Sequence, residues 1–360
     1  MVVIFSIESD TTTHKVMDWL HALHEPFMVI YPSDFAQKIV PLLRYFEEGN
    51  RPSIWFRKWA NISNDMEYLN SEARKLIDYL FYITKGRCFW LNRPADYGSN
   101  NKLVQNSIAA QCGLRTASCD VVAQKNELLQ ILNHQPRQYI TKSFGSAVER
   151  IDSNGDVYFA YTQMVDDVLV GGVSDRFFPS LVQQYIDKEF EIRTFFLDGQ
   201  CYSMAIFSQE NEKTKVDFRH YDCTKPNRKE PIVLPVEIEN KLFHFAQVIG
   251  TNCGSFDLIR DKSGEIFFVE FNPLGQFGMV SSPCGYMLEK RVAELLKDKS
   301  GQCVQMVYHE VSSEDCGEPL CANGMQKMDI MGVDVCYRSE FYESDCAVVK
   351  FPFKPIDTHL

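Results

Sequence analysis

Asp257, Glu270 and Asn272 are the residues whose types and spacing could do chemistry. They lie in SFDLIRDKSGEIFFVEFNPLGQFG, residues 255–278. The stretch reads as two short apolar strands joined by the turn Asp261-Lys262-Ser263-Gly264. Asp257 interrupts the first arm, and Glu270 and Asn272 interrupt the second just before Pro273. Two apart on an extended strand, Glu270 and Asn272 project to one face. With residues 260 and 265 paired across the turn, Asp257 falls diagonally opposite Glu270 on that face. A slip of one residue sends it to the other side. Three converging oxygen donors suit Mg²⁺, which usually shares its shell with substrate phosphates. Spacing alone also admits a plain reading, with Asp257 a strand-end charge and Asn272-Pro273 a turn.

Other residues could grip a phosphate. Tyr139 to Gly145 reads as a strand delivering Lys142 to a glycine-containing loop, although a solvated strand-end lysine is the commoner case. Phe190 to Leu197 alternates, with Glu191 and Arg193 on one face. On a lone strand that face is solvated; in a cleft, Arg193 could hold a phosphate by its fork of donors. Asp217-Phe218-Arg219 repeats the pattern. No GxxxxGK[ST] occurs, nor a GxGxxG after the first strand, which excludes a P-loop and a dinucleotide fingerprint. Trp55, Arg57 and Trp59 read either as a functional cluster or, as is commoner, as packed tryptophans around a solvated arginine.

The elements that position these residues follow from periodicity. Val2 to Ile7 is an apolar strand, and Thr11 to Thr13 cap a helix with Val16, Trp19, Leu20 and Leu23 on one face. Strands at Phe27 to Tyr31 and Ile54 to Phe56 follow, then an amphipathic helix over about residues 65–84. This alternation predicts a small α/β domain over residues 1–112. A break at Asn92-Arg93-Pro94 and Tyr97-Gly98 precedes a connecting helix, Lys102 to Cys112. Residues 146–178, with Asp152-Ser153-Asn154-Gly155 and Gly171-Gly172, predict a hairpin and then a mobile lid. Ser180 to Ile186 reads as a strand, Asp198-Gly199 as a hairpin turn, Val236 to Ile249 as a helix, and Leu288 to Leu296 as a closing helix.

The chain has 360 residues, room for two or three packed units. Its net charge of −11 argues against nucleic acid as the main ligand. No apolar run approaches the roughly 20 residues of a membrane span. The opening MVVIFSIESD lacks the basic region of a signal peptide, so a cytoplasmic protein with reduced thiols is expected. Residues 301–360 hold five of the twelve cysteines, and Cys316 and Cys321 lack a zinc spacing.

Lys142 before a glycine loop, VQQYI at 182–186, Glu191-x-Arg193, Asp217-x-Arg219, Asp257 and Glu270-x-Asn272, in this order, resemble the ATP-grasp family over roughly residues 1–300. The fuller likeness is to the peptide maturases of graspetide biosynthesis, of the grasp-with-spasm type. It is carried by VVIFSIESDTTTHKVMDWL, IWFRKW, FPSLVQQYIDKEFEIRTFFL with CYSMAIFSQ, KVDFRHYD and FFVEFNPLGQFG. The hinge and Asp-Phe-Arg are also similar to those of ribosomal-protein glutamate ligases.

The resemblance implies a mixed α/β and α+β ATP-grasp fold. A pre-ATP-grasp α/β domain would span 1–112, a central subdomain with its lid 113–188, and a C-terminal subdomain with the Mg²⁺ site 189–300. A cysteine-rich tail, 301–360, falls outside it. It implies ATP and Mg²⁺ as cofactors. Lys142 would contact the α/β-phosphates, and backbone groups of Gln184 and Ile186 would read adenine beside Tyr185. Glu191 would hold the ribose hydroxyls, with Lys188 as a competitor. Arg193 and Arg219 would act at the γ-phosphate. Asp257, Glu270 and Asn272 would hold Mg²⁺ at the nucleotide, and Asp217 with Arg219 would place the peptide.

The implied chemistry activates Asp or Glu side chains of a ribosomal precursor peptide as acyl phosphates, then closes ester or amide rings with Ser, Thr or Lys. A homodimer and a SPASM-type partner are compatible with it. Two alternatives remain open: a ligase adding an amino acid to a protein or peptide, and a peptide-binding partner without catalysis. A third reading makes Ser312 to Asp315 part of a substrate-like tail.

Overall fold

The computed structural model describes residues 1–63, 65–94, 101–134, 137–145, 148–151, 157–159, 161–220, 222–302, 325–330 and 333–338. The chain forms two compact units, Met1–Val304 and Gln305–Leu360. In the second, strands Met325–Ile330 and Val333–Arg338 pair as an antiparallel hairpin. The expectations for Tyr97-Gly98, Asp152 to Gly155, Ser312 to Asp315 and the remaining tail lie outside the described residues. Among the described residues no helix is long and apolar enough to cross a membrane.

The first unit opens with a parallel sheet of β1 (Val2–Phe5), β2 (Phe27–Ile30), β3 (Ser53–Phe56) and β4 (Trp90–Leu91), in the order β2-β1-β3-β4. Every side chain of β1 is buried, as both faces of a parallel sheet require. Helix α1 (Thr11–Ala22) turns Val16 and Leu20 onto one face. Helices α2 (Phe35–Glu47) and α3 (Glu67–Thr84) cover the other with Ile39, Leu42, Ile77 and Leu80. Sequence reading missed α2, whose pattern is interrupted by Pro41 within the helix.

Helix α4 (Lys102–Gln111) leads to the short strand β5 (Arg115–Thr116). Next come β6 (Cys119–Gln124), α5 (Lys125–His134), β7 (Tyr139–Lys142), the hairpin β8 (Val148–Ile151) with β9 (Val157–Phe159), β10 (Gln163–Met164), α6 (Asp167–Gly172) and β11 (Arg176–Gln184). Strands β10-β7-β11-β6 form an antiparallel sheet. The hairpin lies where it is expected, but the loop expected after it does not. Gln163–Met164 pairs with β7, and Gly171-Gly172 end α6 rather than opening a mobile segment.

A six-stranded sheet carries the rest. Its strands are β12 (Lys188–Leu197), β13 (Gln200–Ile206), β14 (Lys229–Ile232), β15 (Cys253–Asp261) and β16 (Ile266–Asn272), in the order β14-β13-β12-β15-β16-β5. The turn between β12 and β13 is Asp198-Gly199, both at positive φ (45° and 90°), the conformation a two-residue hairpin demands. Helix α7 (Val236–Ile249) and α4 cover one face over a phenylalanine-rich core of Phe196, Phe245, Phe256, Phe268 and Phe271. On the other face Phe195, Leu197 and Met204 meet α8 (Gly278–Cys284) and α9 (Leu288–Lys299). Helix α9 also packs on α1 and β3, where Ser53 Oγ donates to Leu296 O at 2.5 Å. It thus closes the C-terminal sheet onto the first one.

Candidate active site

The site is built on the outer half of that second face. Arg193 on β12, Asp257 on β15 and Glu270 on β16 form one lateral row: Arg193 pairs with Asp257, and Asp257 with Glu270. The expected register is corrected here. Arg260 pairs with Ile266 and Leu258 with Phe268, which by itself would set Asp257 opposite Val269. A bulge between these positions inserts Val269 as an extra residue and brings Asp257 directly opposite Glu270. The bulge also explains why the buried phenylalanines Phe268 and Phe271 stand three apart rather than two.

Arg193 Nη1 donates to both oxygens of Asp257 at 2.5 Å. Its side chain is 7% exposed, and its Nε is buried with no hydrogen-bond partner among the described residues. Burial pushes the Asp257 carboxyl up, against Arg193, and the neighbouring Glu270 carboxyl pushes it further. Burial acts on Glu270 in the same sense, but Lys102, Lys142, Arg193 and Arg219 outweigh it and hold its carboxyl down. Burial lowers the Lys142 ammonium, with Glu270 opposing and Lys102 and Arg219 adding. Four cations and two carboxylates therefore share one field. The solvated-face reading of Glu191 and Arg193 fails, since both are buried.

Lys102 went unread in the sequence as anything but the start of a helix. Its Nζ lies 3.5 Å from Glu270 Oε2 and donates to Ser143 O at 3.1 Å and Gly145 O at 2.6 Å. One buried ammonium thereby ties the loop after Lys142 to the carboxylate on β16. Asn272, one turn of the pleat beyond Glu270, accepts from Leu274 N–H through Oδ1 at 3.0 Å.

Strand β11 ends at Gln184, two residues earlier than expected, and Tyr185 to Asp187 cross to β12. Gln184 N–H donates to Ser118 O at 2.9 Å and Tyr185 N–H to Gln138 O at 2.8 Å. The Gln184 side chain accepts from Arg137 Nη1 at 3.2 Å. Glu191 Oε1 takes both the Lys188 ammonium and Ser208 Oγ, so the competition foreseen for Lys188 is real. Burial nonetheless raises the Glu191 carboxyl against those two partners.

Asp217 is buried, and its oxygens are spent on its own neighbours. Oδ1 accepts from Arg219 N–H at 3.0 Å and Nε at 2.8 Å, and Oδ2 from Arg219 Nη2 at 2.5 Å and Thr162 N–H at 3.1 Å. Burial alone would raise this carboxyl; the Arg219 fork and the two N–H groups bring it down to about 2. Asp217 thus aims Arg219 and anchors the segment before β10. Beside Arg219 opens a cavity of about 980 Å³ lined by Tyr161, Thr162, Met164, Leu169 and His220. The Tyr161 and His220 rings meet at its edge, tilted by 32° with centroids 3.8 Å apart.

Arg57 is corrected too. It is 1% exposed rather than solvated, its Nε is 3.0 Å from Asp10 Oδ2, and its Nη1 donates to Leu274 O and Gly275 O. The N-terminal sheet thereby grips the loop that follows Asn272. Burial pushes the Cys88 thiol up to about 11 and the Cys201 thiol up to about 12, and it raises Cys284 as well.

Among the described residues no group of three His, Cys, Asp or Glu side chains is placed to hold a metal ion. Asp257 and Glu270 with the Asn272 amide suit Mg²⁺, which takes one or two carboxylates and completes its shell with phosphate and water. Two carboxyls opposite each other, beside an arginine N–H without a partner among the described residues, fit a site completed by a cation and an anionic ligand.

Solved structures share the fold that carries this arrangement. The chain matches a RiPP-associated ATP-grasp ligase of Chryseobacterium gregarium, complexed with ADP and with a leader and core peptide. Identity is 19% over 84% of this chain and 99% of that one, with a TM-score of 0.65. It matches the macrocyclase MdnC of Microcystis aeruginosa MRC, bound with the precursor peptide MdnA, at 18% identity over 83% and 100%, TM-score 0.65. It matches the ATP-grasp ligase PsnB, complexed with a minimal precursor, Mg and ADP, at 14% identity over 84% and 98%, TM-score 0.62. No family model and no curated protein matches the sequence. At these identities the likeness is one of fold. The chain has the ATP-grasp fold, as its motifs indicated.

Proposed function

We propose that this chain is an ATP-dependent peptide maturase that closes ester or amide rings in a ribosomally made precursor peptide. The observation that carries the reading is the row Arg193, Asp257 and Glu270 beside Lys102 and Lys142, with Arg193 and Lys102 buried and Asp257, Glu270 and Lys142 half-buried. The structural neighbours, whose complexes hold ADP, Mg and precursor peptides, support it.

Lys142 and Lys102 hold the phosphate chain, and Arg193 meets the γ-phosphate through the Nε–H that has no partner among the described residues. The Gln184 carbonyl and the Ile186 N–H read the adenine edge, with Tyr185 against the ring. Glu191 offers its second oxygen to the ribose. Asp257, Glu270 and Asn272 hold Mg²⁺, which neutralises charge on the phosphates. The peptide enters by the cavity beside Arg219. One of its carboxylate oxygens attacks the γ-phosphorus, ADP leaves, and an acyl phosphate remains. A Ser or Thr hydroxyl or Lys amine of the same peptide then attacks the carbonyl, losing its proton and expelling phosphate. Arg219, held straight by Asp217, meets the charge on the transferred group. No protein nucleophile is needed, in keeping with the raised thiols.

The cytoplasm, where ATP is supplied, is the place this reading assigns. A homodimer and a SPASM-type partner stay part of the proposal, carried by the sequence resemblance alone. Hydroxylamine trapping tests the intermediate. A peptide hydroxamate that forms only with ATP and Mg²⁺ is expected. ADP release without any hydroxamate would speak against acyl-phosphate chemistry.

A further inference from the structure

Glu270 and Asn272 face the site only because Val269 is bulged out. A bulge is a local choice, and the strand end could relax into plain pairing by sliding one residue. Glu270 and Asn272 would then turn to the phenylalanine core, and Phe271 would face the site. Sheet pairing on the outer edge cannot prevent this, because β5 pairs with Phe267 and Phe268 and reaches no further.

Gln105 on α4 meets the edge where β5 stops. Its Nε2 donates to Phe271 O at 2.8 Å, and its Oε1 accepts from Phe271 N–H at 2.9 Å. The side chain is buried, at 4% exposure. On a strand, the N–H and C=O of one residue point to the same edge and those of its neighbours to the opposite edge. A carboxamide that grips both groups of Phe271 therefore fixes the backbone between Glu270 and Asn272 where β5 gives no support. With Phe271 held there, Glu270 and Asn272 both project into the site. Lys102, three residues earlier on the same helix, holds the Glu270 carboxylate itself.

Given the Mg²⁺–nucleotide reading of this site, we infer that Gln105 is a positioning residue that stands in for a missing sheet strand and holds the end of β16 in place between Glu270 and Asn272. It touches neither substrate nor metal, so its removal acts through Glu270.

Calorimetric titration of the full chain with ADP, with and without Mg²⁺, tests this. For Gln105→Leu, metal-free ADP affinity stays within about twofold of wild type, while the gain that Mg²⁺ adds falls about tenfold, the scale of losing a group that orients a metal ligand. In a Glu270→Gln background the same change costs nothing more. Equal loss with and without Mg²⁺, an undiminished Mg²⁺ gain, or losses that add in the double variant would each overturn the role of Gln105. If Gln105→Leu fails to fold, Gln105→Glu keeps the acceptor for Phe271 N–H and gives a smaller loss of the same sign; an unchanged gain there overturns it equally. A wild-type chain that binds ADP under neither condition overturns the nucleotide reading and the role of Gln105 with it.

Discussion

Asp257 and Glu270 stand opposite each other on neighbouring strands through a single bulged residue, Val269. Burial and the Glu270 carboxyl beside it both push the Asp257 carboxyl up. Arg193 and Lys102 flank the pair and offset part of its charge. A divalent cation bound between the two would relieve the repulsion that remains.

Glu270→Gln keeps side-chain volume and removes the charge. It abolishes Mg²⁺-dependent turnover, and its Tm stays within about 2 °C of wild type, on the order of the shift that 1 kcal/mol gives in a chain of this size. Differential scanning calorimetry beside an ADP-release assay checks both halves. Turnover with normal Mg²⁺ dependence would refute the metal assignment.

Lys102→Met removes the ammonium that joins Glu270 to the Ser143 and Gly145 carbonyls. Turnover at saturating peptide falls about a hundredfold, the usual scale for one donor in a charge-stabilising site. Steady-state kinetics would show it, and a loss under threefold would leave Lys102 a purely structural group.

Arg57→Met leaves Asp10 buried with one of its two ion-pair partners gone. Breaking a buried pair from one side costs about 3–5 kcal/mol. Lys58, which reaches the same carboxylate from a 23% exposed position, costs about 1 kcal/mol or less when replaced by Met. Urea denaturation of the two variants gives the comparison.

Asp217 supplies a pH dependence. Its folded carboxyl titrates at about 2, below the ordinary value near 3.9. A depressed carboxylate stabilises the fold above its unfolded pKa, and that contribution fades as pH falls through the folded one. Wild type therefore loses stability between about pH 4 and pH 2, and Asp217→Asn loses less across that window. Denaturation midpoints along a pH series read the difference, and parallel curves would contradict it.

What sequence showed and what it hid have physical causes. Asp257, Glu270 and Asn272 stood out because polar residues interrupt apolar strands, and the chain brings them to one face. Their alignment was misjudged because a bulge leaves no mark in a strict two-residue alternation; the three-residue step from Phe268 to Phe271 was its trace. Lys102 and Gln105 were hidden for the opposite reason. With Ala109 they form the buried stripe of α4 at i, i+3 and i+7, where pattern reading looks for apolar residues. Arg57 was read as solvated because one strand cannot announce that a loop more than two hundred residues away will cover it.

Intact mass spectrometry of a candidate precursor peptide encoded beside this gene, incubated with the chain, ATP and Mg²⁺, tests the central claim most directly. Successive losses of about 18 Da, one water for each ring closed, are the result expected of intramolecular condensation. A gain in mass would mean that a second molecule had been joined to the peptide, and ring closure would not be the reaction.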